Sequence, residues 1–252
     1  ALELAANELH RVKESYGNKA IFAGSYGWAS AGRFHHAQSQ LHRFINLIGG
    51  CTRAMNSYST AAAQVILPHV VAPWSHMELH QTSWQDVIEH SDLVVAFGGL
   101  PLRNTQVAYG GITEHNSARD MRQASERGVT FCNISPLQQD MPGWLNAQTL
   151  MPRPGTDVAL MLGLAYVLEH ESLLDRGFLH SHCEGYARFR DYLLGHSDGV
   201  AKTPEWAAQL ADVDAAALVQ LARRMAAERT FITAAWSLQR ADHGEQPYWM
   251  VV

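Results

Sequence analysis

The sequence predicts an α/β fold: a Rossmann-like dinucleotide-binding domain with a parallel sheet and flanking helices. Short apolar runs near residues 20–23, 92–97, 130–134 and 231–235 each end in glycine, serine, proline or tryptophan. An uninterrupted apolar run is typical of a parallel strand that is covered on both faces. Between residues 92 and 134, a strand, a glycine turn, a helix and a second strand follow at a spacing typical of a βαβ unit.

Helical patterns flank these strands throughout the chain. Before residue 85, helices are predicted over residues 1–15 and 33–48, and the second stops at Gly49 and Gly50. After residue 85, four more helices are predicted. Three of them cover residues 112–127, 204–211 and 214–227. The fourth is capped by Thr156 or Asp157 and runs to His170.

The stretch from Asn56 to Gln64 supplies several hydroxyl groups and then becomes an alanine-rich helical run. Ser59 or Thr60 is predicted as the N-cap, with its oxygen accepting a hydrogen bond from a free amide of the first turn. A serine at a helix start can instead present its oxygen to a bound group, because the unpaired amides there favour negative charge. Residues 68–84, which follow, are predicted to be rich in loops.

Composition and charge exclude several classes of protein. The net charge of −5 over 252 residues argues against a nucleic-acid partner, and no apolar run reaches the length that membrane insertion needs. Three widely spaced cysteines predict free thiols rather than a cluster, a zinc site or disulfides. We therefore expect a reducing compartment, the cytoplasm rather than the periplasm. Regular patterns are interrupted at both ends of the sequence, so a longer polypeptide is expected.

Two groups of histidines have spacings that metal sites use. His76 and His80 lie one helical turn apart, and residues 180–183 hold two histidines and a cysteine. The first pair lacks the His-Glu-x-x-His order, and Pro73 argues against a regular helix there. We interpret both groups as surface or hydrogen-bonded side chains.

The loops that follow the predicted strands are expected to form one binding crevice. In open α/β sheets, ligands bind outside the carboxyl ends of the strands. Residues 24–30, 98–105, 135–136 and 236–240 should therefore lie close together. Backbone amides, hydroxyls and two arginines in these loops suit a large cofactor that carries phosphate groups.

Four motifs resemble the dimethyl sulfoxide reductase family of molybdenum enzymes. They are Ser25-Tyr26-Gly27-Trp28-Ala29-Ser30, Asn56-Ser57-Tyr58-Ser59-Thr60, Pro154-Gly155-Thr156-Asp157-Val158-Ala159-Leu160 and Trp236-Ser237-Leu238-Gln239-Arg240. They occur in the family's order and cover nearly the whole chain. The likeness is closest to the members that ligate the metal through serine and reduce S-oxides or N-oxides, and among these to the biotin sulfoxide reductase type.

The resemblance implies one molybdenum atom held between two molybdopterin guanine dinucleotides. It makes Ser59 the metal ligand through its alkoxide, and hard oxygen donors suit a high-valent, oxophilic metal. It also places Tyr26 and Trp28 at the metal, where a phenol and an indole N–H would hydrogen-bond the substrate oxygen or the oxo group. Both aromatic side chains can alternatively be explained as loop packing.

The resemblance also implies which residues contact the dinucleotides. These are Ser30, Thr105, Ser135, Asp157, Trp236, Ser237, Gln239 and Arg240. Two positions depart from the family pattern. Leu100 stands where many members have asparagine, and Ser135 stands where many have aspartate. A serine keeps one hydrogen bond but loses the charge and the bidentate reach of aspartate.

The function implied is oxygen-atom transfer from a small S-oxide or N-oxide, with electrons from a separate donor protein. Residues 1–85 are then the segment with the active-site loops and the metal ligand, and residues 86–252 are the cofactor-binding domain. Two alternatives stay open. One is a Rossmann-type nucleotide-binding domain without molybdenum, and the other is a non-catalytic module when this piece is isolated, in which case the cofactor is absent from it.

Overall fold

The computed structural model describes residues 1–25, 34–105 and 114–252, which form two compact units, 1–57 and 58–252. The helices of the described residues are α1 Leu2–Tyr16, α2 Ala37–Leu47, α3 Ala61–Val70, α4 Trp74–Leu79, α5 Trp84–His90, α6 Ser117–Glu126, α7 Asp157–His170, α8 Arg176–His182, α9 Tyr186–Leu193, α10 Pro204–Ala211, α11 Ala215–Ala227 and α12 Glu245–Val251. The strands are β1 Leu93–Phe97, β2 Thr130–Ile134, β3 Gln148–Leu150 and β4 Thr230–Ala234. The predicted division of roles at residue 85 stays a prediction.

In the unit of residues 1–57, the first helix is confirmed and the strand predicted at 20–23 is wrong. Residues 18–20 form a 3₁₀ turn, and within the described part of the chain the next residues pair through one isolated parallel bridge, between Phe22 and Thr52. Ile21 is buried, but Phe22 is 69% exposed. The apolar run therefore has one inward-facing residue, which is too little buried surface to support a strand.

In the unit of residues 58–252, the predicted parallel α/β sheet is confirmed. Four parallel strands lie in the order β3-β2-β1-β4, and β1 pairs in register with both β2 and β4. This order matches the first four strands of the Rossmann order 3-2-1-4-5-6, which is one half of that fold and the first strand of the other. The strands predicted at 92–97, 130–134 and 231–235 are present with ends shifted by at most one residue. β3 was not predicted, because a strand of three residues leaves no recognisable pattern.

The sheet is covered on both faces, and alternation along β1 builds two separate cores. Leu93, Val95 and Phe97 pack in the core formed with α7, α10 and α11. Val94 and Ala96 point the other way, into the core formed with α5 and α6. Because every residue of β1 is buried, its sequence is continuously apolar, as a central parallel strand requires.

Several predicted helix bounds needed correction. The segment 68–84, predicted as loop-rich, is largely helical: α3 continues through Pro68, and α4 begins directly after Pro73. Pro73 occupies the N-cap position, where no intrahelical amide bond is needed. The helix predicted over 112–127 is confirmed only as the shorter α6, and the one over 33–48 only as α2. The helix that ends at His170 is confirmed.

The loops that follow β1 and β4 touch at Gly98. The amide of Ala235 donates to the carbonyl of Phe97 at 2.8 Å, and the amide of Gly98 donates to Ile134 at 2.8 Å. Gly98 has a φ of 83°, and a Cβ added there would lie 2.6 Å from Ala235 Cβ and 2.7 Å from Leu238 Cδ1. Only glycine combines that backbone conformation with that close approach.

A buried glutamate joins the helices on one side of the sheet. The Glu169 carboxylate, at the end of α7, accepts from Tyr186 at 2.6 Å, from Arg176 at 2.8 Å, and from Arg190. Burial alone would raise the pKa of Glu169, but these hydrogen bonds outweigh it and lower the pKa to about 2. Burial and the same carboxylate raise the pKa of Tyr186 to about 12. One ionised side chain therefore ties α7 to α8 and α9.

A buried lysine closes the connection between α9 and α10. Lys202 is 2% exposed, and its Nζ bonds Asp198 at 2.7 Å and the carbonyls of Tyr192 and Val200. Its Nζ also lies 4.0 Å from the centre of the Tyr192 ring. Because every charge-bearing atom has a partner, this buried charge is tolerated.

Within the described residues, no helix has both the length and the apolarity that crossing a bilayer requires.

Glu169→Gln should lower the free energy of unfolding by about 2–3 kcal/mol at pH 7. The pKa of Glu169 falls from 4.5 to about 2 on folding, so its contribution is complete above pH 4.5 and is lost as the pH falls towards 2. Denaturant unfolding at several pH values measures this. The variant should lose the part of the acid sensitivity that belongs to this pH window. Glu184→Gln, at an exposed position, is the control and should leave the profile unchanged.

Gly98→Ala should destabilise the chain by about 2–3 kcal/mol, because the new methyl group overlaps Ala235 and Leu238 in a strained backbone conformation. The matched control is Gly128→Ala, where φ is also positive at 93° but no atom lies within 4 Å of the added Cβ. That variant should cost only about 1 kcal/mol, the conformational part alone. Equal losses in thermal or denaturant unfolding would show that the contact at Gly98 is unimportant.

Candidate functional site

The candidate site lies at the carboxyl ends of β1, β2 and β4, where the sequence predicted a crevice. The chain leaves β1 towards β2 on one side, and β4 lies on the other side, so a topological switch point separates β1 from β4. The predicted loops 98–105, 135–136 and 236–240 do follow these neighbouring strands. Of the predicted loop 24–30, only residues 24 and 25 are described, and they follow an isolated bridge rather than a strand of this sheet. Of the predicted site residues, Tyr26, Trp28 and Ser30 lie outside the described residues.

Ser59 lies two residues before the first residue of α3, in a half-buried position. The predicted side-chain cap by Thr60 is wrong, because Thr60 takes the N-cap position without making a cap hydrogen bond. Its hydroxyl instead accepts from Gln64 Nε2 at 2.6 Å. The amide of Ala63, the third residue of α3, donates to Gln239 Oε1 at 3.1 Å. A side chain 176 residues away therefore supplies the cap that a local hydroxyl was expected to supply.

The turn after β4 holds the Ser59 segment at two further points. Gln239 Nε2 donates to the carbonyl oxygen of Ser59, and Arg240 Nε donates to the carbonyl oxygen of Tyr58 at 3.1 Å. Gln239 is 6% exposed, whereas the side chain of Arg240 is exposed. Both residues were predicted to bind the cofactor, and that role stays a prediction. Their protein contacts were not foreseen, since no local pattern in the sequence signals them.

Other predicted cofactor residues lie along the same edge. Trp236 and Ser237 are exposed on the turn after β4. Thr105 is half-buried at the end of the loop after β1, with its hydroxyl donating to Leu102 at 2.8 Å. These hydroxyl and indole groups follow adjacent strands, as the crevice prediction required.

Ser135 takes part in a cluster that sequence reasoning missed. Its hydroxyl is buried, donates to Asp140 Oδ2 at 2.6 Å and accepts from the amide of Leu137 at 3.3 Å. Arg103, predicted to line the crevice, forms an ion pair with the other Asp140 oxygen. A cofactor contact at Ser135 therefore requires its hydroxyl to exchange Asp140 for the ligand. Asp140 lies on a 3₁₀ turn six residues after the end of β2, and that position gave no signal of this pairing.

Asp157 is the first residue of α7 and is half-buried. It was interpreted either as a helix cap or as a ribose or guanine contact. The cap position belongs to Thr156, whose hydroxyl donates back to Arg153 at 2.6 Å rather than capping the helix. Burial raises the pKa of the Asp157 carboxyl, and no ion pair to it is formed within the described part of the chain. A desolvated carboxyl of this kind suits a ligand that brings hydrogen-bond donors.

Of the histidine pair, His76 lies in the six-residue helix α4, which begins after Pro73, and His80 takes the C-cap position just beyond it. The rings of His76 and His80 have their centres 4.5 Å apart. Among residues 1–25, 34–105 and 114–252, no group of three or more His, Cys, Asp or Glu side chains is placed to hold a metal ion. The predicted ligand, Ser59, is not one of these residue types.

Comparison with known proteins places this geometry in a family. The dimethyl sulfoxide/trimethylamine N-oxide reductase of Cereibacter sphaeroides is 43% identical over 100% of the chain, and the biotin sulfoxide reductase of the same organism is 43% identical over 99%. The trimethylamine-N-oxide reductase of Haemophilus influenzae is 40% identical over 100%. The chain spans 30–34% of the length of these three relatives.

A solved structure agrees with the fold. Acetylene hydratase from Pelobacter acetylenicus has a TM-score of 0.59 at 20% identity, over 99% of this chain and 31% of that one, which bears on the fold alone. The family described as molybdopterin oxidoreductase matches residues 1–252. Since that match runs from the first residue to the last, the chain belongs to the molybdopterin oxidoreductase family.

Proposed function

We propose that this chain is the part of a molybdenum S-oxide or N-oxide reductase that supplies the protein ligand to the metal and one dinucleotide-binding domain. The observation that carries the proposal is the attachment of Ser59 to the turn after β4. Hydrogen bonds from Gln239 and Arg240 hold the backbone of the Ser59 segment at the carboxyl edge of the parallel sheet. Ligands of open α/β folds bind at that edge.

The described residues suit a bis(molybdopterin guanine dinucleotide) molybdenum cofactor. The missing side chain at Gly98 lets the turn after β4 pack against the end of β1, which brings the polar groups of that turn to the carboxyl edge of the sheet. Ser237, Trp236 and Arg240 are exposed beside it. The carboxyl of Asp157, with its raised pKa, is an acceptor for the N–H and O–H groups of a nucleoside.

Each residue has a defined role in this proposal. Ser59 would hold the metal through its side-chain oxygen. Tyr26 would donate a phenolic hydrogen bond to the substrate oxygen, and Trp28 would donate its indole N–H and exclude water from the pocket. When bound, the cofactor supplies the two-electron redox chemistry, and the protein orients the substrate and tunes the metal.

The dinucleotides are held by hydroxyl, amide, guanidinium and carboxyl groups. The residues proposed for this are Ser30, Thr105, Ser135, Asp157, Trp236, Ser237, Gln239 and Arg240. Arg240 is exposed on its outer side, so it can pair with a phosphate while its Nε stays bonded to Tyr58. Gln239 and Ser135 contribute through buried contacts, Gln239 to the Ser59 segment and Ser135 to Asp140.

The substrate is proposed as a class. Relatives named for dimethyl sulfoxide, trimethylamine N-oxide and biotin sulfoxide include two at the same identity of 43%, so the likeness to the biotin sulfoxide type is not favoured over the others. We keep an S-oxide or N-oxide as the substrate, a separate protein as the electron donor, and the cytoplasm as the location.

A second function is supported by the strand order, which is that of a nucleotide-binding Rossmann half without any requirement for molybdenum. The loop after β1, Gly98-Gly99-Leu100-Pro101, lacks the Gly-x-Gly-x-x-Gly fingerprint that usually accompanies nicotinamide cofactors. Titration of the chain with NAD distinguishes the two functions. Tight binding of NAD would favour this alternative.

Ser59→Ala in the full-length enzyme should fold and bind the dinucleotides, yet lose activity by about 100-fold or more, because the metal loses its protein oxygen. The measurements are molybdenum content, X-ray absorption at the metal edge, and reduction of dimethyl sulfoxide with a dye as electron donor. Ser197→Ala, at an exposed serine outside this loop, is the control and should behave as wild type. Turnover at the wild-type rate in Ser59→Ala would show that Ser59 is not the metal ligand.

The chain of 252 residues on its own should not reduce S-oxides or N-oxides. It spans 30–34% of the relatives' length, and one dinucleotide-binding domain cannot enclose a metal held between two dinucleotides. The purified chain, incubated with the extracted cofactor and a reduced dye, should show no substrate-dependent oxidation of the dye. Sulfoxide reduction above the level of free cofactor would contradict this and would place the whole active site within these residues.

A further inference from the structure

The carboxamide of Gln239 lies between the Ser59 carbonyl and the Ala63 amide, the two groups that one more turn of α3 would pair. In an α-helix the amide of residue i bonds the carbonyl of residue i−4. The first such bond of α3 runs from Gln64 to Thr60 at 2.9 Å. The preceding bond would join Ala63 to Ser59, but Gln239 satisfies both groups separately. Its Oε1 accepts from Ala63 at 3.1 Å, and its Nε2 donates to the Ser59 carbonyl.

We propose that Gln239 is a positioning residue that keeps Ser59 outside α3 and so sets the direction of its hydroxyl. This inference rests on the proposed function, in which Ser59 is the metal ligand. The backbone at Thr60 supports it: φ is −146° and ψ is 5°, which is not helical. Without the two hydrogen bonds to the carboxamide, the Ala63 amide loses its acceptor and the Ser59 carbonyl is no longer held, so the direction of the Ser59 hydroxyl is no longer fixed.

The chemistry of the two groups requires a carboxamide. The Ala63 amide needs an acceptor and the Ser59 carbonyl needs a donor, and both must come from one side chain. The carboxamide of glutamine or asparagine carries an acceptor and a donor side by side on one planar group, whereas the donor and acceptor nitrogens of a neutral imidazole lie apart on the ring. A carboxylate offers acceptors only, and a lysine or an arginine offers donors only. A glutamine therefore fits this position by the groups that it carries as well as by the length of its side chain.

The rest of the fold holds Gln239 rigidly. Its side chain is 6% exposed, so water does not compete for either hydrogen bond. Behind it, a Cβ on Gly244 would lie 1.9 Å from the carbonyl oxygen of Gln239, so the two backbones are packed together. Leu238, its neighbour, is in contact range of Gly98 at the end of β1. The position of Ser59 is thus linked to the end of β1 through Gln239 and its neighbour Leu238.

The test compares two variants of the full-length enzyme with wild type. Gln239→Met keeps the size of the side chain but removes both hydrogen bonds, and Gln239→Glu keeps the acceptor for Ala63 but loses the donor to Ser59. Gln209→Met, at an exposed position of α10, is the matched control. Hydrogen exchange of the peptide that contains Ala63 is measured on the cofactor-free protein. X-ray absorption at the metal edge and kinetics are measured on the loaded enzyme.

In Gln239→Met, exchange at Ala63 should be faster by about fivefold or more, the effect of losing one buried hydrogen bond. The metal should be retained, its oxygen shell in the absorption spectrum should change, and kcat should fall by about 10–100-fold with little change in KM. Gln239→Glu should show wild-type exchange at Ala63 together with an altered metal spectrum. Gln209→Met should match wild type throughout.

Wild-type exchange and a wild-type metal spectrum in Gln239→Met would overturn the inference. If the Gln239→Met protein does not fold, Gln239→Glu is the test. An unchanged metal spectrum in Gln239→Glu would also contradict the inference. Failure of the proposed function is recognised separately. If Ser59→Ala leaves the metal spectrum unchanged, Ser59 is not the ligand, whatever the exchange at Ala63 shows about Gln239.

Discussion

The close approach of Gly98 to the turn after β4 is the contact on which the candidate site depends. β1 is buried along its whole length, so its end is fixed by two hydrophobic cores. At that end, space for Ala235 and Leu238 exists only because residue 98 has no side chain. The turn Trp236–Gln239 therefore packs against the fully buried strand β1, and this contact fixes the position of the residues on the turn.

From this contact a short chain of interactions reaches Ser59. The turn presents Gln239 and Arg240 to the backbone of residues 58–63, which enters α3 without a cap from Thr60. A helix start that is capped from another element no longer needs its own hydroxyl for that purpose. The sequence around Ser59 first suggests an N-cap, whereas the structure assigns the cap to a glutamine far along the chain.

The sequence predicted what depends on local pattern and missed what depends on distant contacts. β1 was found because continuous burial imposes a continuous apolar run, whereas β2 and β4 were found from short runs rich in β-branched and aromatic residues, although β4 is only half-buried. The strand at 20–23 failed because the same kind of run there has only one buried residue, Ile21. The Gln239 cap and the pairing of Ser135 with Asp140 were missed because nothing in the local sequence fixes which polar groups meet.

The buried acidic groups of the domain differ in how their charge is satisfied, and the difference concerns the site. Glu169 has two arginines and a tyrosine, and Asp140 has Arg103 and Ser135, so both serve the fold. Asp157 has no such partner in the described chain, and burial raises its pKa. A desolvated carboxyl gains most from donors that arrive with a ligand, because those donors replace the lost hydration. Unlike the other two, Asp157 has a backbone hydrogen bond but no arginine in the described chain, so the cofactor contact that we propose for it would add donors that this part of the fold does not supply.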